Sequence, residues 1–361
     1  MAFATTCDAG FEMLAGWTDA PLAASLATFR RHCPEIGERH PEYAPVCNAQ
    51  RALPADVDDH VARTFFEIWF RPEIVAGPGK GFVTGYFEPE MEAAREPSAE
   101  FSVPLHRRPD DLVGVNDGNR PAGFPDNLEF ARSTETGLEP YPDRAVIRDG
   151  ALSDRGLELA WLADPVDAFF LHVQGSGRLR FADGSTMRVS YAGKTGHPYV
   201  PIGRIVVERG HIAREDLDYP RLRDWLKAHP DEAREIMGMN PSYIFFAPVE
   251  GLAETDGPVG AAGKSLVPEV SLAVDLAHHG FGEPLWIDAR LPADPGTGGQ
   301  PFRRLMIAED RGSAIVGEAR GDIFFGSGAA AGERAGRIKH SATVYRLVPR
   351  RCDGGEQTDG G

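Results

Sequence analysis

Apolar residues recur at helical spacing twice near the start of the chain. Leu22, Leu26 and Phe29 fall on one face, with Asp19 and Pro21 as start signals ahead of them. Val61, Phe65, Ile68 and Trp69 mark a second helix over residues 58–70, which Pro72 is expected to end. The period then shortens. Residues 81–88 (GFVTGYFE) read as a strand with a glycine at a bend. Residues 89–148 are rich in Pro, Asp and Arg, which predicts loops and short strands. Residues 157–191 read as consecutive strands, with 168–173 as one of them. Asp183-Gly184 is a turn signal for a hairpin between 178–181 and 186–191. Two short helices follow, one carrying Leu222, Trp225 and Leu226, the other over 231–237 and stopped by Gly238. Asn240-Pro241 breaks the pattern, and 270–274, 285–287, 304–307 and 343–348 return to strands. Residues 294–299 form a Pro/Gly loop, and the chain from Cys352 onward reads as a disordered tail. The result is a mainly β protein, with helices near the N-terminus and around residue 225.

Composition narrows the partners. The 361 residues carry a net charge of −16, which gives no general attraction to nucleic acid or anionic lipid. A neutral or zwitterionic substrate such as a glycan is easier to reconcile with that charge. No apolar run approaches the ~18–20 residues of a membrane span. The first thirty residues lack a basic segment and contain Asp8 and Glu12, so they do not read as a signal peptide. Either the chain is cytoplasmic or its export signal is not among these residues. The cysteines favour export. Cys33 and Cys47 flank a short Pro-containing loop and are expected to pair, while Cys7 and Cys352 lie near opposite ends. Four unrelated thiols are the alternative.

Few residue patterns suggest cofactor chemistry. There is no P-loop, dinucleotide fingerprint, HExxH or CxxC, and His278-His279 is the only histidine pair, so neither metal nor organic cofactor is expected. Ser176 sits between Gly175 and Gly177, but Gln174 stands where a nucleophile elbow needs glycine, so a tight turn is the better reading. Three aspartates stand at strand-like boundaries: Asp275, Asp310 and Asp322. Asp322 precedes Ile-Phe-Phe, so its carboxylate should meet apolar surface, and desolvation would raise its pKa into the range of a useful acid. Taken without further context, all three also fit turn or cap positions.

Seven motifs in order resolve that ambiguity. Residues 85–90 (GYFEPE), 173–177 (VQGSG), 191–199 (YAGKTGHPY), 240–246 (NPSYIFF), 271–275 (SLAVD), 304–317 (RLMIAEDRGSAIVG) and 321–326 (GDIFFG), the last followed by 331–337 (AGERAGR), resemble the membrane-bound lytic murein transglycosylase A family with its C-terminal three-aspartate domain. The resemblance covers residues 80–350 and implies a fold. A discontinuous double-psi β-barrel with N-terminal helices takes residues 1–92 and 244–350, its three-aspartate part spanning 265–348. A second β domain, 93–243, is inserted, with the substrate in a groove between the two and a tail at 351–361.

The resemblance also implies a reaction. The β-1,4 bond between N-acetylmuramic acid and N-acetylglucosamine is broken, and the muramic acid 6-hydroxyl closes onto C1 to give a 1,6-anhydro end. One carboxyl group suffices where ordinary glycosidases use two. Asp322 matches the family's catalytic aspartate, and Asp310 and Asp275 match its supporting pair. Glu88, Gln174, Ser176, Gly177, Tyr191 and Lys194 fall at positions implied to bind substrate. Glu88 stands where some members carry a small hydroxyl residue, which adds a second carboxylate. The implied location is the periplasm, at the outer membrane, although no lipobox is present. Peptidoglycan glycan strands are the implied partner, with cell-wall synthesis or division machinery as further partners, no nucleic acid, and a monomeric state. Two rivals remain at this point: a hydrolase using Asp310 or Glu88 as second carboxylate, and a non-catalytic glycan-binding module.

Overall fold

The computed structural model describes residues 10–292 and 299–350. Cys7, Cys352, the expected tail and all of the expected 294–299 loop except Gly299 lie outside the described residues. In chain order the elements are α1 (Ala23–Arg39), α2 (Ala44–Gln50), α3 (Asp59–Trp69), β1 (Phe70–Glu88), β2 (Glu90–Ala94), β3 (Val103–His106), β4 (Leu112–Gly114), β5 (Phe130–Thr134), β6 (Gly137–Glu139) and the single turn α4 (Arg144–Val146). Then come β7 (Glu158–Leu162), α5 (Pro165–Gln174), β8 (Ser176–Arg180), β9 (Thr186–Lys194), α6 (Ile202–Glu208), α7 (Tyr219–Ala228), α8 (Pro230–Gly238) and β10 (Ile244–Val249). The chain closes with β11 (Ser271–Val274), β12 (Pro284–Leu291), β13 (Gln300–Asp310), β14 (Arg320–Ser327), α9 (Gly328–Ala335) and β15 (Lys339–Pro349). Strand outweighs helix, as expected. Among the described residues no helix is long and apolar enough to cross a membrane.

The chain divides into two compact units. The first takes the described residues of Met1–Gly85, Val259–Phe324 and Ile338–Gly361. Its centre is a closed six-stranded barrel in the order β1-β14-β11-β13-β12-β15. Pairing is antiparallel from β12 to both β13 and β15, and parallel between β11 and β13. One face packs on the N-terminal helices, where Phe29, Phe66, Phe70, Trp286 and Leu305 are fully buried. Trp17 meets Trp286 edge-on at 5.3 Å, and Phe29 meets Phe70 at 5.6 Å. Each such side chain contributes roughly 1.5–3 kcal/mol by leaving water.

The start signal of α1 differs from the expected one. Asp19 ends a separate short turn, and Asp59 from α3 instead accepts the Leu22 and Ala23 N–H groups at 2.7 and 2.8 Å. The cap is therefore tertiary. Asp58 caps α3 as its position predicts, accepting from Val61 N–H at 2.8 Å. Pro72 does not end α3; Phe70 is already extended, and Pro72 lies inside β1 opposite Leu347. The register of β1 shifts between Ala76 and Gly81, and a Cβ at Gly81 would lie 2.8 Å from Val344 Cγ2 and 3.0 Å from the Ala342 carbonyl. Cys33 and Cys47 form the expected disulfide, joining α1 to α2 with their Cα atoms 5.2 Å apart.

The second unit takes Tyr86–Pro258 and Phe325–Arg337. Its main sheet runs β10-β9-β8-β2-β7-β3, with a small sheet β4-β5-β6. The β8–β9 hairpin forms around Gly184, whose φ is 81°, as the Asp-Gly signal predicts. Residues 168–173, expected as a strand, are helical. Asp164 accepts from Val166 N–H at 2.7 Å, Pro165 occupies the first turn, and Gly175 at φ 79° ends α5. The helix is buried on nearly every side, so it shows no polar face for periodicity to detect.

Candidate active site

The three aspartates converge on β11 within the first unit. Ala273 of β11 pairs with Asp310 of β13 on one side and Asp322 of β14 on the other. Asp275 follows β11 directly. Asp310 and Asp275 stand at strand ends, as expected, whereas Asp322 lies inside β14. A carboxylate is tolerated there because its strand neighbours bury Ile323 and Phe324 while its own side chain keeps some surface.

Asp322 is held by an ordered chain of donors. Arg320 Nη2 lies 2.7 Å from Thr84 Oγ1, and Thr84 Oγ1 lies 2.5 Å from Asp322 Oδ1. A guanidinium has no acceptor to offer, so Arg320 must donate to the threonine, whose single hydrogen must then point at Oδ1. Oδ1 is thus fixed as an acceptor, and a proton on the carboxyl group belongs on Oδ2. Arg320 also lies over the Phe82 ring at 5.3 Å. Burial pushes the Asp322 pKa up to about 6; the Thr84 bond and Arg320 oppose the rise, and Asp310 adds to it. Burial lowers the Arg320 pKa, against the pull of Asp322.

The other two aspartates stay ionised more readily or are tied to backbone. Asp275 accepts from Gly317 N–H at 2.7 Å and Ala277 N–H at 3.0 Å, and these bonds lower its pKa. Asp310 Oδ1 accepts from Ala261 and Arg311 N–H groups, both at 2.9 Å. Beside it, Glu309 is fully buried, accepting from Arg31 and His32 and bonded to Ser271 at the start of β11. That network clamps β11 to β13 and α1.

The remaining sequence candidates lie in the second unit. Glu88 is 1% exposed and committed to Arg178 Nε at 2.7 Å and Ser327 Oγ at 2.6 Å. Its Oε2 is thus engaged within the second unit, and the residue has almost no surface. Gln174 Oε1 accepts from Phe87 N–H at 3.1 Å. Ser176 opens β8 and is buried, and at Gly177 a Cβ would lie 2.4 Å from Leu171 Cδ1. Tyr191 is exposed on β9, and Lys194 at its end pairs with Glu129 at 2.6 Å. Sequence reasoning missed Thr84 and Arg320. The alternation of β14 held a signal for the second, because Arg320 and Asp322 are two residues apart and share a strand face. Among the described residues there is no group of three or more His, Cys, Asp or Glu arranged to hold a metal.

Comparison with known proteins gives a consistent answer. Residues 82–247 match a family model described as the MltA specific insert domain, and residues 270–348 match the 3D domain. A crystal structure of a membrane-bound lytic murein transglycosylase from Agrobacterium tumefaciens is similar over 94% of this chain and 96% of that one, at 38% identity and a TM-score of 0.84. Escherichia coli MltA with bound chitohexaose is similar at 31% identity over 92% of this chain and 91% of that one, with a TM-score of 0.69. A curated relative from Vibrio cholerae, named membrane-bound lytic murein transglycosylase A, is 34% identical over 274 residues, 74% of this chain. The match spans 66% of that relative, a little under two thirds of its length.

Proposed function

From the premise that this chain belongs to the lytic murein transglycosylase A family, we propose that it cleaves peptidoglycan glycan strands with Asp322 as the single acid and base. The observation that carries the reading is a carboxyl group raised to about 6 in a barrel strand, with one oxygen fixed as acceptor and the other left for the substrate. A pKa near 6 keeps part of the population protonated close to neutrality, which a general acid needs. The Oδ2 proton passes to the glycosidic oxygen as the C1–O bond breaks. The ionised Asp322 then accepts the proton of the muramic acid 6-hydroxyl as O6 bonds to C1. The proton count closes without water, and the product is a 1,6-anhydromuramic acid end.

Asp310 and Asp275 act in this scheme as fixed charges beside the reacting group. Asp310 contributes to the raised pKa of Asp322. In the second unit, exposed Tyr191 and the half-buried Gln174 and Lys194 are of residue types suited to a glycan, whereas Ser176 and Gly177 are buried and shape the backbone beside Gln174. The site of action is inferred to be the periplasm, at the outer membrane. Mass spectrometry of products released from purified sacculi tests the proposal. Ends lighter by one water than the hydrolytic product are expected. Reducing ends alone would replace the scheme with hydrolysis, and no release at all would leave a binding module.

A further inference from the structure

The second unit contains a cavity of about 600 Å³ that is separate from the aspartate cluster in residues and in the proposed chemistry. At its wall lies Arg144, 7% exposed. The guanidinium donates through Nε to the Asn240 carbonyl at 3.2 Å and through Nη2 to the Ser242 carbonyl at 2.6 Å. Nη1 lies 3.2 Å from His172 Nδ1. Arginine carries five N–H donors. Two of them have no acceptor here, and among the described residues no carboxylate pairs with Arg144. A buried cation without a counter-ion is costly, and nature normally supplies a partner. Faces of Phe169 and Tyr243 lie 4.7 and 5.3 Å from the guanidinium carbon and give only partial compensation.

The neighbouring groups are donors too. Because arginine only donates, His172 Nδ1 must accept, which places the imidazole hydrogen on Nε2. Burial and Arg144 keep His172 neutral, its pKa well below the ordinary value. Arg148, Lys227 and Arg234 also line the cavity but are already paired, Lys227 with Asp164 at 2.8 Å and Asp167 at 2.7 Å, so among the described residues Arg144 is the cation of the lining without a carboxylate. Arg148 and Arg234 share Asp149. The rest of the wall is apolar, with Val166, Phe169, Leu226 and Met237 prominent. The two unmet Arg144 donors, set in an apolar chamber of ligand size, define the complement: an anionic head on an apolar body.

We propose that this cavity binds a small amphipathic carboxylate, such as the C-terminal end of a short apolar peptide, with the carboxylate on Arg144 and the apolar part against Phe169 and Met237. This site is independent of the Asp322 reaction. The test uses the full chain, with arginine labelled by nitrogen-15, titrated at constant ionic strength with N-acetyl-leucine, its amide and inorganic phosphate. The acid should bind saturably and shift the Arg144 Nε–H resonance. It should bind at least about tenfold tighter than the amide, the worth of one hydrogen bond to a charged group. Equal binding of acid and amide, no saturable binding of the acid, or phosphate binding as tight as the acid would each overturn the proposal. Arg144→Gln should abolish the preference for acid over amide, and a preference that survives would refute the assignment. Should that chain not fold, Arg234→Glu keeps the test open, because its side chain is 63% exposed. It should weaken the acid severalfold and leave the amide unchanged, and an unaltered acid affinity counts against the site.

Discussion

Asp322 carries opposing demands that can be measured separately. Its folded pKa, about 6, lies above the ordinary 3.8, so its contribution to stability is full below 3.8 and is lost as pH rises through 6. At pH 7 the ionised group is therefore a net cost of roughly 1–3 kcal/mol. Asp322→Asn should remove that cost while keeping an oxygen to accept from Thr84. The variant should melt higher than wild type at pH 7 and equally near pH 4, yet lose about 10²–10⁴-fold in turnover. A folded variant with more than about a tenth of wild-type rate would shift the acid role to Asp310. Thr84→Val tests the donor chain. The Thr84 bond holds the Asp322 pKa down, so its loss should move the alkaline limb of the pH–rate profile upward. An unmoved limb would mean that the threonine does not contact the working carboxyl group. The desolvation of Asp322 was legible in the sequence from the Ile-Phe-Phe that follows it, but its choice over Asp275 and Asp310 came from the family resemblance. Thr84 was not legible, since the contact spans 238 positions and no local pattern encodes it. For Glu88 the sequence shows a carboxylate, but not the Arg178 that pairs with it 90 positions away.

At the scale of elements, legibility followed whether the ordering force is local. The Asp183-Gly184 turn acts within a few residues and was readable, as was the start of α3 near Asp58, whose cap is equally local. The α1 cap was not, because Asp59 reaches it from another helix. The largely buried α5 could not be told from a strand by apolar run alone, although Asp164, Pro165 and Gly175 are its punctuation in retrospect. The α1–α2 pair carries a prediction of its own. Its disulfide closes a separation of 14 residues, for which loop-closure entropy gives about 3 kcal/mol. Both cysteines are buried in the aromatic cluster with Phe29 and Tyr43. Reduction, or Cys33→Ala with Cys47→Ala, should therefore lower the melting temperature by several degrees, about 2–4 kcal/mol in free energy. Non-reducing peptide maps of protein from an oxidising compartment should show the Cys33–Cys47 link. Two free thiols there, or an unchanged melting temperature on reduction, would contradict it.

For the whole molecule, charge and burial make opposite predictions about acid. Lowering pH from 7 moves the net charge of −16 toward zero and relieves self-repulsion. Two buried histidines act against that gain. Burial lowers His106 to about 4, opposed by Glu158, and burial together with Arg144 and His106 holds His172 well below its ordinary value. Their unfolded forms take up protons from about pH 6.5 downward while the folded forms do not. Their stabilisation is thus present above 6.5 and lost as pH falls below it, by about 2 kcal/mol at pH 5 for His106, with a loss of the same sign from His172. Asp322 returns roughly 1 kcal/mol between pH 6 and 5. His279 also works in that direction; burial pulls its pKa down, but bonds to Glu283 and the Glu318 carbonyl leave it raised. Surface repulsion is screened beyond about 8 Å at physiological salt, whereas the buried imidazoles are not. The histidine loss should win, and the melting temperature should fall between pH 6.5 and 5 even as net charge shrinks. Melting curves across that range at fixed ionic strength decide it. A temperature that rises steadily as pH drops would show that global charge, rather than His106 and His172, governs the acid limb.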